Sequence, residues 1–181
     1  VYKRQLRELG SDNVDRLVRV DGIVVRATPV KPFLVVGAFR CRRCGRLTML
    51  EQAGPFMTEP SRCGNPACGR IGPFEFSQPD SAFINYQEIR VQEKPEDLPA
   101  GQTPRWLDVR LTEDLVDLAR PGDHVSISGI VRAVQETLAR AKMRTFDLVL
   151  DANTAEVAGK EPEVVEISDE EEAEIRENAR D

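Results

Sequence analysis

Four cysteines lie in one short stretch of the 181-residue sequence, with the spacing of metal ligands. Two residues separate Cys41 from Cys44 and four separate Cys63 from Cys68, with eighteen residues between the two pairs. Two such pairs, each on a tight loop, can supply the four thiolates of a tetrahedral zinc site. Gly45, directly after the first pair, gives the backbone access to the positive φ that such a loop needs. The pattern predicts Zn(II) bound by these four residues, and two disulfides are the alternative.

A site with four thiolates leaves no position for water or substrate, so its zinc would be structural and not catalytic. The strand-like segment 46–52 and a Gly-Pro loop lie between the two cysteine pairs, and together they predict a zinc ribbon. Six arginines flank the cysteines and are either phosphate ligands or solvated charges: Arg40, Arg42, Arg43, Arg46, Arg62 and Arg70.

No combination of residues in the sequence predicts catalysis. The single histidine, His124, has no nucleophile or cysteine beside it and is expected to be an exposed residue at the start of a strand. The glycine-rich loops that cradle the phosphates of ATP or of a dinucleotide do not occur in the sequence. We therefore expect no catalytic residues in this chain.

The negative charge is concentrated at the C-terminal end of the sequence. Residues 156–181 hold 11 Asp and Glu against 3 Lys and Arg, whereas the other residues hold 20 acidic and 22 basic side chains. Residues 1–155 are therefore slightly basic as a set and rich in arginine, whose guanidinium group binds phosphate bidentately. This balance of basic and acidic side chains does not by itself decide whether the chain binds nucleic acid. No segment approaches the roughly 20 apolar residues of a membrane span, and we expect no membrane partner.

Five segments rich in β-branched or alternating apolar residues predict strands: 17–26, 82–91, 105–111, 125–134 and 146–150. Gly22 marks a bend or bulge in the first strand, and Thr112 begins a short helix between the third and fourth. This order favours a mainly β fold, an OB-fold barrel with the zinc ribbon inserted, over a sandwich. Residues 2–9 predict a short N-terminal helix that ends at Gly10, and Ser168 predicts a helix start in the acidic segment.

Two sets of basic residues are candidates for DNA contact. Near the tip of a predicted hairpin stand Arg140, Lys142 and Arg144, which either reach phosphates or are solvated charges of a turn. At strand ends stand Arg26, Lys31, Arg90 and Arg105, with the aromatic residues Phe83 and Trp106 nearby in sequence. OB barrels bind single strands by stacking bases on aromatic side chains beside a basic groove, although both aromatics could equally belong to the core.

Several motifs resemble the N-terminal region of the minichromosome maintenance (MCM) replicative helicases, the archaeal ones in particular. They are residues 20–26 (VDGIVVR), 39–45 (FRCRRCG), 86–101, 103–105, 114–117, 120–125, 128–131 and 167–171. The resemblance implies the non-catalytic collar of a hexameric, ring-shaped DNA helicase that binds single-stranded DNA and encircles duplex DNA. It also implies zinc ribbons that meet head to head in a double hexamer, a hairpin that lines the central channel and an allosteric loop at residues 93–103.

The resemblance further implies how the chain is organised. We expect a remnant of a helical subdomain at 1–16, the barrel at 17–39 and 73–155, the ribbon at 40–72, a basic hairpin at 131–150 and an acidic linker at 156–181. ATP would bind only to an ATPase domain outside this sequence, so we expect a piece of a longer polypeptide. The expected location is the cytoplasm, at the nucleoid, in an archaeon, or the nucleus in a eukaryote.

Two other functions fit parts of the pattern. A monomeric single-stranded-DNA-binding protein of the replication protein A type also combines OB folds with zinc ribbons, and it would depend on base stacking by Trp106. A zinc-ribbon module for protein interaction in transcription or translation would show no appreciable affinity for DNA at moderate salt. The ordered motifs from residue 92 to residue 125 favour the helicase collar over both.

Overall fold

The computed structural model describes residues 2–54, 56–98, 101–138 and 141–158 of the chain. The strands are β1 (Tyr2–Arg4), β2 (Leu17–Ala27), β3 (Lys31–Cys41), β4 (Leu47–Glu51), β5 (Phe74–Phe76), β6 (Ala82–Gln92), β7 (Trp106–Thr112), β8 (His124–Leu138) and β9 (Ala141–Val157). The helices among these described residues are single 3-10 turns: Leu6–Glu8, Ser11–Asn13, Pro95–Asp97 and Glu113–Leu115.

Five of these strands close into a barrel. Hydrogen bonds connect β2 to β8, β8 to β9, β9 to β7 and β7 to β6, and β6 pairs again with β2. Alternate side chains of a strand point to opposite faces, so each strand contributes one apolar row to the interior. The core includes the fully buried side chains of Val20, Ile89, Val109, Ile127 and Leu150. This closed barrel confirms the OB-type fold expected from the sequence.

Strand β3 lies outside the ring of the barrel and connects it to the ribbon. Its first half pairs with β6, from Lys31 opposite Tyr86 to Val36 opposite Ala82. Its second half pairs with β4, and its last three residues also pair with β5. Cys41 is the final residue of β3. One continuous strand therefore sets the position of a predicted metal ligand relative to the barrel.

Gly22 allows β2 to approach β6 closely. A Cβ atom at this position would lie only 2.5 Å from the carbonyl oxygen of Gln92, which no side chain could tolerate without a shift of the backbone. Further along, the ladder between β2 and β6 is irregular between Val24 and Arg26. Strand β2, the first of the predicted strands, is therefore irregular two to four residues beyond Gly22, where the sequence predicted a bend or bulge.

The five predicted strands all occur, and the fourth and fifth extend towards each other as one long hairpin. The predicted helix over residues 2–9 is wrong, because Tyr2–Arg4 forms β1, parallel to β2, and only one 3-10 turn follows. The helix expected after Thr112 is also a single 3-10 turn, without a hydrogen bond from the Thr112 side chain. No helix in the described part of the chain is long and apolar enough to cross a membrane.

Glu93 is a buried acid that joins the N-terminal segment to the barrel. It directly follows β6 and is only 5% exposed. Its carboxylate accepts hydrogen bonds from the Arg7 guanidinium at 2.9 Å and from the backbone N–H groups of Arg7 and Arg105 at 3.0 Å. Burial alone would raise the pKa of Glu93, but these donors hold that pKa below its ordinary value of 4.5.

We expect Glu93→Gln to lower the free energy of unfolding by about 1–3 kcal/mol at neutral pH, because the buried donors lose a charged acceptor. A carboxyl whose pKa is lowered in the folded state stabilises the fold above its ordinary pKa, and this stabilisation disappears as the pH falls through the lowered value. The difference between variant and wild type should therefore shrink below about pH 4 in urea unfolding.

Glu8→Gln is the matched control, because Glu8 is exposed and accepts a hydrogen bond only from the backbone of Gln5 among the described residues. Its effect should stay within about 0.5 kcal/mol. A Glu93→Gln effect of constant size from neutral to acidic pH would contradict the ionic role assigned to Glu93.

Candidate metal centre and nucleic-acid interface

The four predicted metal ligands come together at the end of the ribbon. Cys41 ends β3, Cys44 lies on the turn before β4, and Cys63 and Cys68 lie on the loop that precedes β5. Their Sγ atoms all lie within 4.8 Å of one another. Gly45 has a φ of 73°, which confirms the predicted positive φ, and its N–H donates to the carbonyl oxygen of Cys41 at 2.8 Å.

The sulfur positions fit a tetrahedral zinc ion. A Zn–S bond of about 2.3 Å places the four sulfurs of a regular tetrahedron about 3.8 Å apart. The Sγ atoms of Cys44 and Cys63 are 3.5 Å apart, and no pair in the set exceeds 4.8 Å. A disulfide requires about 2.05 Å, and all four cysteines are free. Zinc held by these residues would be fully coordinated by protein and would stabilise the ribbon without binding a substrate.

Backbone N–H groups favour the thiolate form of Cys41 and Cys44. The N–H of Arg46 is the main cause that lowers the pKa of Cys44 to about 7, and the N–H groups of Cys44 and Arg43 lower the pKa of Cys41. The pKa of Cys63 is raised to about 11: the N–H of Asn65 lowers it, but desolvation and the neighbouring Cys44 and Cys41 outweigh that effect. A bound cation favours the thiolate form of its ligands, and at Cys63 it would oppose the effect of desolvation and of the neighbouring Cys44 and Cys41.

Three of the predicted DNA-binding residues share one outer face of the sheet, which we call the outer β6 face. Arg26 lies directly opposite Arg90 in the β2–β6 pairing, and Lys31 lies opposite Tyr86 in the β3–β6 pairing. Arg90 and Tyr86 alternate with the buried residues of β6 and therefore point away from the core. Arg26 and Lys31 are exposed and form no ion pair with any described residue.

Arg90 and Arg105 are already engaged within the chain. Arg90 forms a bidentate ion pair with Asp108, with nitrogen–oxygen distances of 2.7 and 2.9 Å. Arg105 donates from its Nη1 atom to the carbonyl oxygen of Arg7 at 3.5 Å, so its side chain lies beside the N-terminal residue that contacts Glu93. The structure thus brings Arg26, Lys31 and Arg90 together and leaves Arg105 apart from them.

The predicted basic hairpin is formed by β8 and β9, which pair from Val125 and Val157 out to Leu138 and Ala141. Arg144 is exposed on β9. Arg140 lies outside the described residues, and so does the side chain of Lys142. The hairpin is therefore present, and DNA contact by its three basic residues stays a prediction.

The aromatic residues near these positions are not part of the core. Trp106 is 60% exposed and Phe83 is 40% exposed. Sequence reasoning missed a further pair on the outer β6 face, Phe33 stacked on Tyr86 with ring centroids 5.0 Å apart. The signal was available: Phe33 stands two residues after Lys31, but the strand β3 that holds both was not recognised.

The arginines of the ribbon divide into two groups. Arg40 pairs with Asp80 at 3.4 Å, and Arg42 approaches Glu75 at 3.7 Å. The others are exposed without an ion pair to any described residue: Arg43, Arg46, Arg62 and Arg70. Both roles considered for them, phosphate ligand and solvated charge, fit this arrangement.

Comparisons with known proteins agree on one family. A family model described as the MCM OB domain matches residues 5–135. The minichromosome maintenance protein MCM of Saccharolobus solfataricus is 33% identical over 183 residues, which cover 98% of this chain and 26% of that protein. DNA replication licensing factor MCM6 of Oryza sativa subsp. indica is 37% identical over 136 residues, which cover 75% of this chain and 16% of that protein.

The fold agrees with the sequence relatives. The crystal structure of the N-terminal domain of an archaeal MCM aligns with a TM-score of 0.75 and 29% sequence identity, and the alignment covers 86% of this chain and 61% of that one. The chain spans about a quarter of the length of its archaeal relative and 16% of its plant relative.

We expect Cys63→Ser to abolish stoichiometric zinc binding, because three thiolates and a hydroxyl are a much weaker donor set for Zn(II). Because the metal supplies most of the folding energy of such a small unit, the ribbon should unfold with it. Zinc content per chain by atomic emission, together with amide hydrogen exchange, measures both effects. Exchange should accelerate in β4 and stay slow in the barrel.

Met49→Ser is the matched control, because Met49 is an exposed residue of β4 in the same ribbon. It should retain one zinc per chain. A Cys63→Ser variant that still bound one zinc per chain and kept β4 protected would contradict the four-thiolate site.

Proposed function

Because the chain belongs to the minichromosome maintenance family, as the match over residues 5–135 and the identity to the archaeal relative show, we propose that it is the collar of a hexameric replicative DNA helicase. In this role it forms a ring, binds single-stranded DNA and encircles duplex DNA. The observation that carries the proposal is the OB barrel, with a long hairpin at its edge and, on one outer face, two cations that form no ion pair with a described residue.

The outer β6 face suits a single strand of DNA. Arg26 and Lys31 have no counter-ion among the described residues, so phosphates can approach them without breaking an ion pair. Trp106 and the stacked pair of Phe33 and Tyr86 stand on the same side of the sheet. A basic groove beside exposed aromatic rings is the arrangement with which OB folds bind single strands.

The hairpin is suited to line the central channel of the proposed ring. Within the described residues, β2 pairs with β8 only as far as Ile130, and β7 pairs with β9 only from Val149 onwards. The described part of the hairpin beyond these residues pairs with no third strand, as expected of a segment that projects from the barrel. In a ring its tip, with Arg140 and Lys142, would reach DNA in the centre, where cations contact the phosphate backbone irrespective of sequence.

Self-association is supported by the exposed apolar residues of the ribbon. Met49, Phe56, Met57 and Ile71 are each more than half exposed. Four exposed apolar side chains on so small a unit are candidates for a protein contact. The ribbons of two rings that meet head to head would cover these residues, which is the double hexamer that we propose.

The chain would contribute binding and assembly without chemistry of its own. Its candidate metal site has no open coordination position, and the sequence holds no phosphate-binding loop for ATP. ATP-driven unwinding is therefore proposed for the parent protein and assigned to other segments of it. The proposed location is at the chromosome, in the archaeal cytoplasm or in the eukaryotic nucleus.

We expect the double variant Arg140→Glu with Lys142→Glu to weaken binding to single-stranded DNA while zinc content stays the same. The loss of two phosphate contacts should reduce the slope of log affinity against log salt by about 1.4, because each contact with a single strand contributes about 0.7. Fluorescence anisotropy of a labelled oligo(dT) over a salt series measures affinity and slope together.

The matched control is Arg4→Glu with Arg16→Glu, which changes the net charge equally at two exposed positions outside the hairpin. It should leave the salt slope within error of wild type. If both double variants lost the same affinity for oligo(dT), the effect would come from net charge and not from contacts made by the hairpin. An unchanged affinity of the hairpin variant would remove the hairpin from the proposed interface.

A further inference from the structure

Five charged side chains form a row across the outer surface of the barrel, which we call the transverse row. Glu88 on β6 is opposite Arg110 on β7, and Arg110 is opposite Asp151 on β9. Arg132 on β8 and Asp15, in the segment before β2, complete the row. Adjacent members carry opposite charges, and their closest nitrogen–oxygen distances lie between 2.6 and 3.8 Å. The row thus links four strands to the N-terminal segment.

Arg132 is hydrogen-bonded to both of its neighbours in the transverse row. Its Nη1 atom donates to Asp15 at 2.6 Å, and its Nε atom donates to Asp151 at 3.3 Å. The other carboxylate oxygen of Asp151 is 3.7 Å from Nη1 of Arg110. The Nε atom of Arg110 is buried and makes no hydrogen bond with the described residues. The fork of Arg132 is therefore the tightest joint of the row, and Asp151 connects this joint to β7.

This joint lies at the root of the hairpin, where the hairpin leaves the barrel. In the described part of the chain, β2 pairs with β8 only as far as Ile130, two residues before Arg132. On the other strand of the hairpin, β9 pairs with β7 only from Val149 onwards. The β8–β9 ladder is irregular just before the root, between Ser128 and Gly129, and such irregularities bend a strand. The direction of the hairpin therefore depends on contacts at its root as well as on the ladder.

The N-terminal segment is held against the same root. The N–H of Asp15 donates to the carbonyl oxygen of Val131 at 2.8 Å, and the N–H of Val131 donates to the carbonyl oxygen of Arg16 at 3.1 Å. Asp15 has a φ of 61°, in the left-handed region that residues other than glycine seldom occupy. Such a conformation persists where the surrounding contacts impose it. Here these contacts bring the carboxylate of Asp15 to the guanidinium of Arg132.

A small change at the root is a large change at the far end of the hairpin. Leu138, the last residue of β8, lies six residues beyond Arg132, which is about 20 Å at roughly 3.3 Å per residue. A rotation of about 20° at the root would therefore displace this end by about 7 Å, more than twice the length of a hydrogen bond. A two-stranded hairpin has little stability of its own to resist such a rotation.

We propose that Arg132 is a positioning residue for the hairpin, an inference that rests on the proposed contact between the hairpin and DNA. It fixes the direction of the hairpin through Asp15 and Asp151 and does not itself bind phosphate, because the two carboxylates occupy its N–H groups and repel an anion. The two acids consequently support DNA binding although their charge opposes it. A lysine would carry the same charge on one nitrogen, without the planar fork that reaches the two carboxylates from different nitrogens.

Arg132→Lys tests this role, because it keeps the net charge and removes the fork. We expect weaker binding to oligo(dT), with the slope of log affinity against log salt reduced by up to about 1.4, the share of two hairpin contacts. In a chain that already carries Arg140→Glu with Lys142→Glu, the same substitution should cause no further loss. This dependence on the hairpin residues distinguishes positioning from a direct contact between Arg132 and DNA.

Arg19→Lys is the matched control. Arg19 also forks between two partners on the surface of the barrel, with Nε donating to Ser126 and an Nη atom donating to Glu156, both at 2.8 Å, but it lies away from the root. Its substitution should leave affinity and salt slope unchanged. Exposed ion pairs contribute little to stability, so the thermal unfolding midpoint and zinc content of both lysine variants should match those of the wild type.

The two acids provide a second test, in which charge alone and positioning predict opposite results. Asp15→Asn with Asp151→Asn removes two negative charges, which by itself would strengthen binding to DNA. Positioning predicts weaker binding and a reduced salt slope. The control, Asp12→Asn with Asp114→Asn, makes the same change of charge at exposed positions that form no ion pair with any described residue. It should bind oligo(dT) at least as tightly as the wild type.

Binding of oligo(dT) by Arg132→Lys at wild-type strength would overturn the inference. A loss of equal size with and without the hairpin substitutions would overturn it as well, because Arg132 would then act without the hairpin, and so would tighter binding by the paired Asn variant at the root. These results would leave the proposed hairpin contact intact. Unchanged affinity of Arg140→Glu with Lys142→Glu would instead overturn the proposed hairpin contact and the inference together.

Discussion

Hydrogen bonding along both edges of β6 is the constraint on which the rest of the structure depends. One edge pairs with β2 and then with β3, and the other pairs with β7. The pairing with β2 closes the barrel, the pairing with β3 holds the ribbon, and the pairing with β7 places Asp108 opposite Arg90. Because side chains alternate along β6, its apolar residues build the core while Tyr86 and Arg90 point outwards. Core and candidate DNA surface are thus two faces of one strand.

The ribbon depends on the barrel at one end and on its cysteines at the other. Strand β3 delivers Cys41, and the N–H of Gly64 donates to the Thr48 hydroxyl at 3.2 Å, which ties the second cysteine loop to β4. Between these ends the ribbon contributes few buried side chains; Phe39 on β3, against Phe76 on β5, is the largest. In a unit with so little core, a metal bound by the four cysteines would supply much of the folding energy.

The sequence alone was sufficient to predict the clustering of the cysteines and most strands of the barrel, because both depend on local patterns. The spacing of Cys41 to Cys68 and the alternation in β7 are visible without knowledge of the fold. Strand β3 was missed because Pro32 and Gly37 argue locally against a strand, whereas its hydrogen bonds come from distant β6 and β4. The prediction of an N-terminal helix was wrong for the same reason: pairing of residues 2–4 with β2 outweighed their local helix propensity. The engagement of Arg90 by Asp108 likewise depends on strand register, which composition does not reveal.

A ring of these chains around DNA is the assembly on which the proposed function rests, and the absolute mass of the zinc-loaded protein in solution tests for it. Light scattering over a concentration series, with and without oligo(dT), compares that mass with the 20.3 kDa of one chain. A hexameric ring or its double hexamer would give six or twelve chains per particle. A particle that remains a single chain at every concentration, even when it is saturated with DNA, would contradict the ring and favour a monomeric single-strand-binding protein.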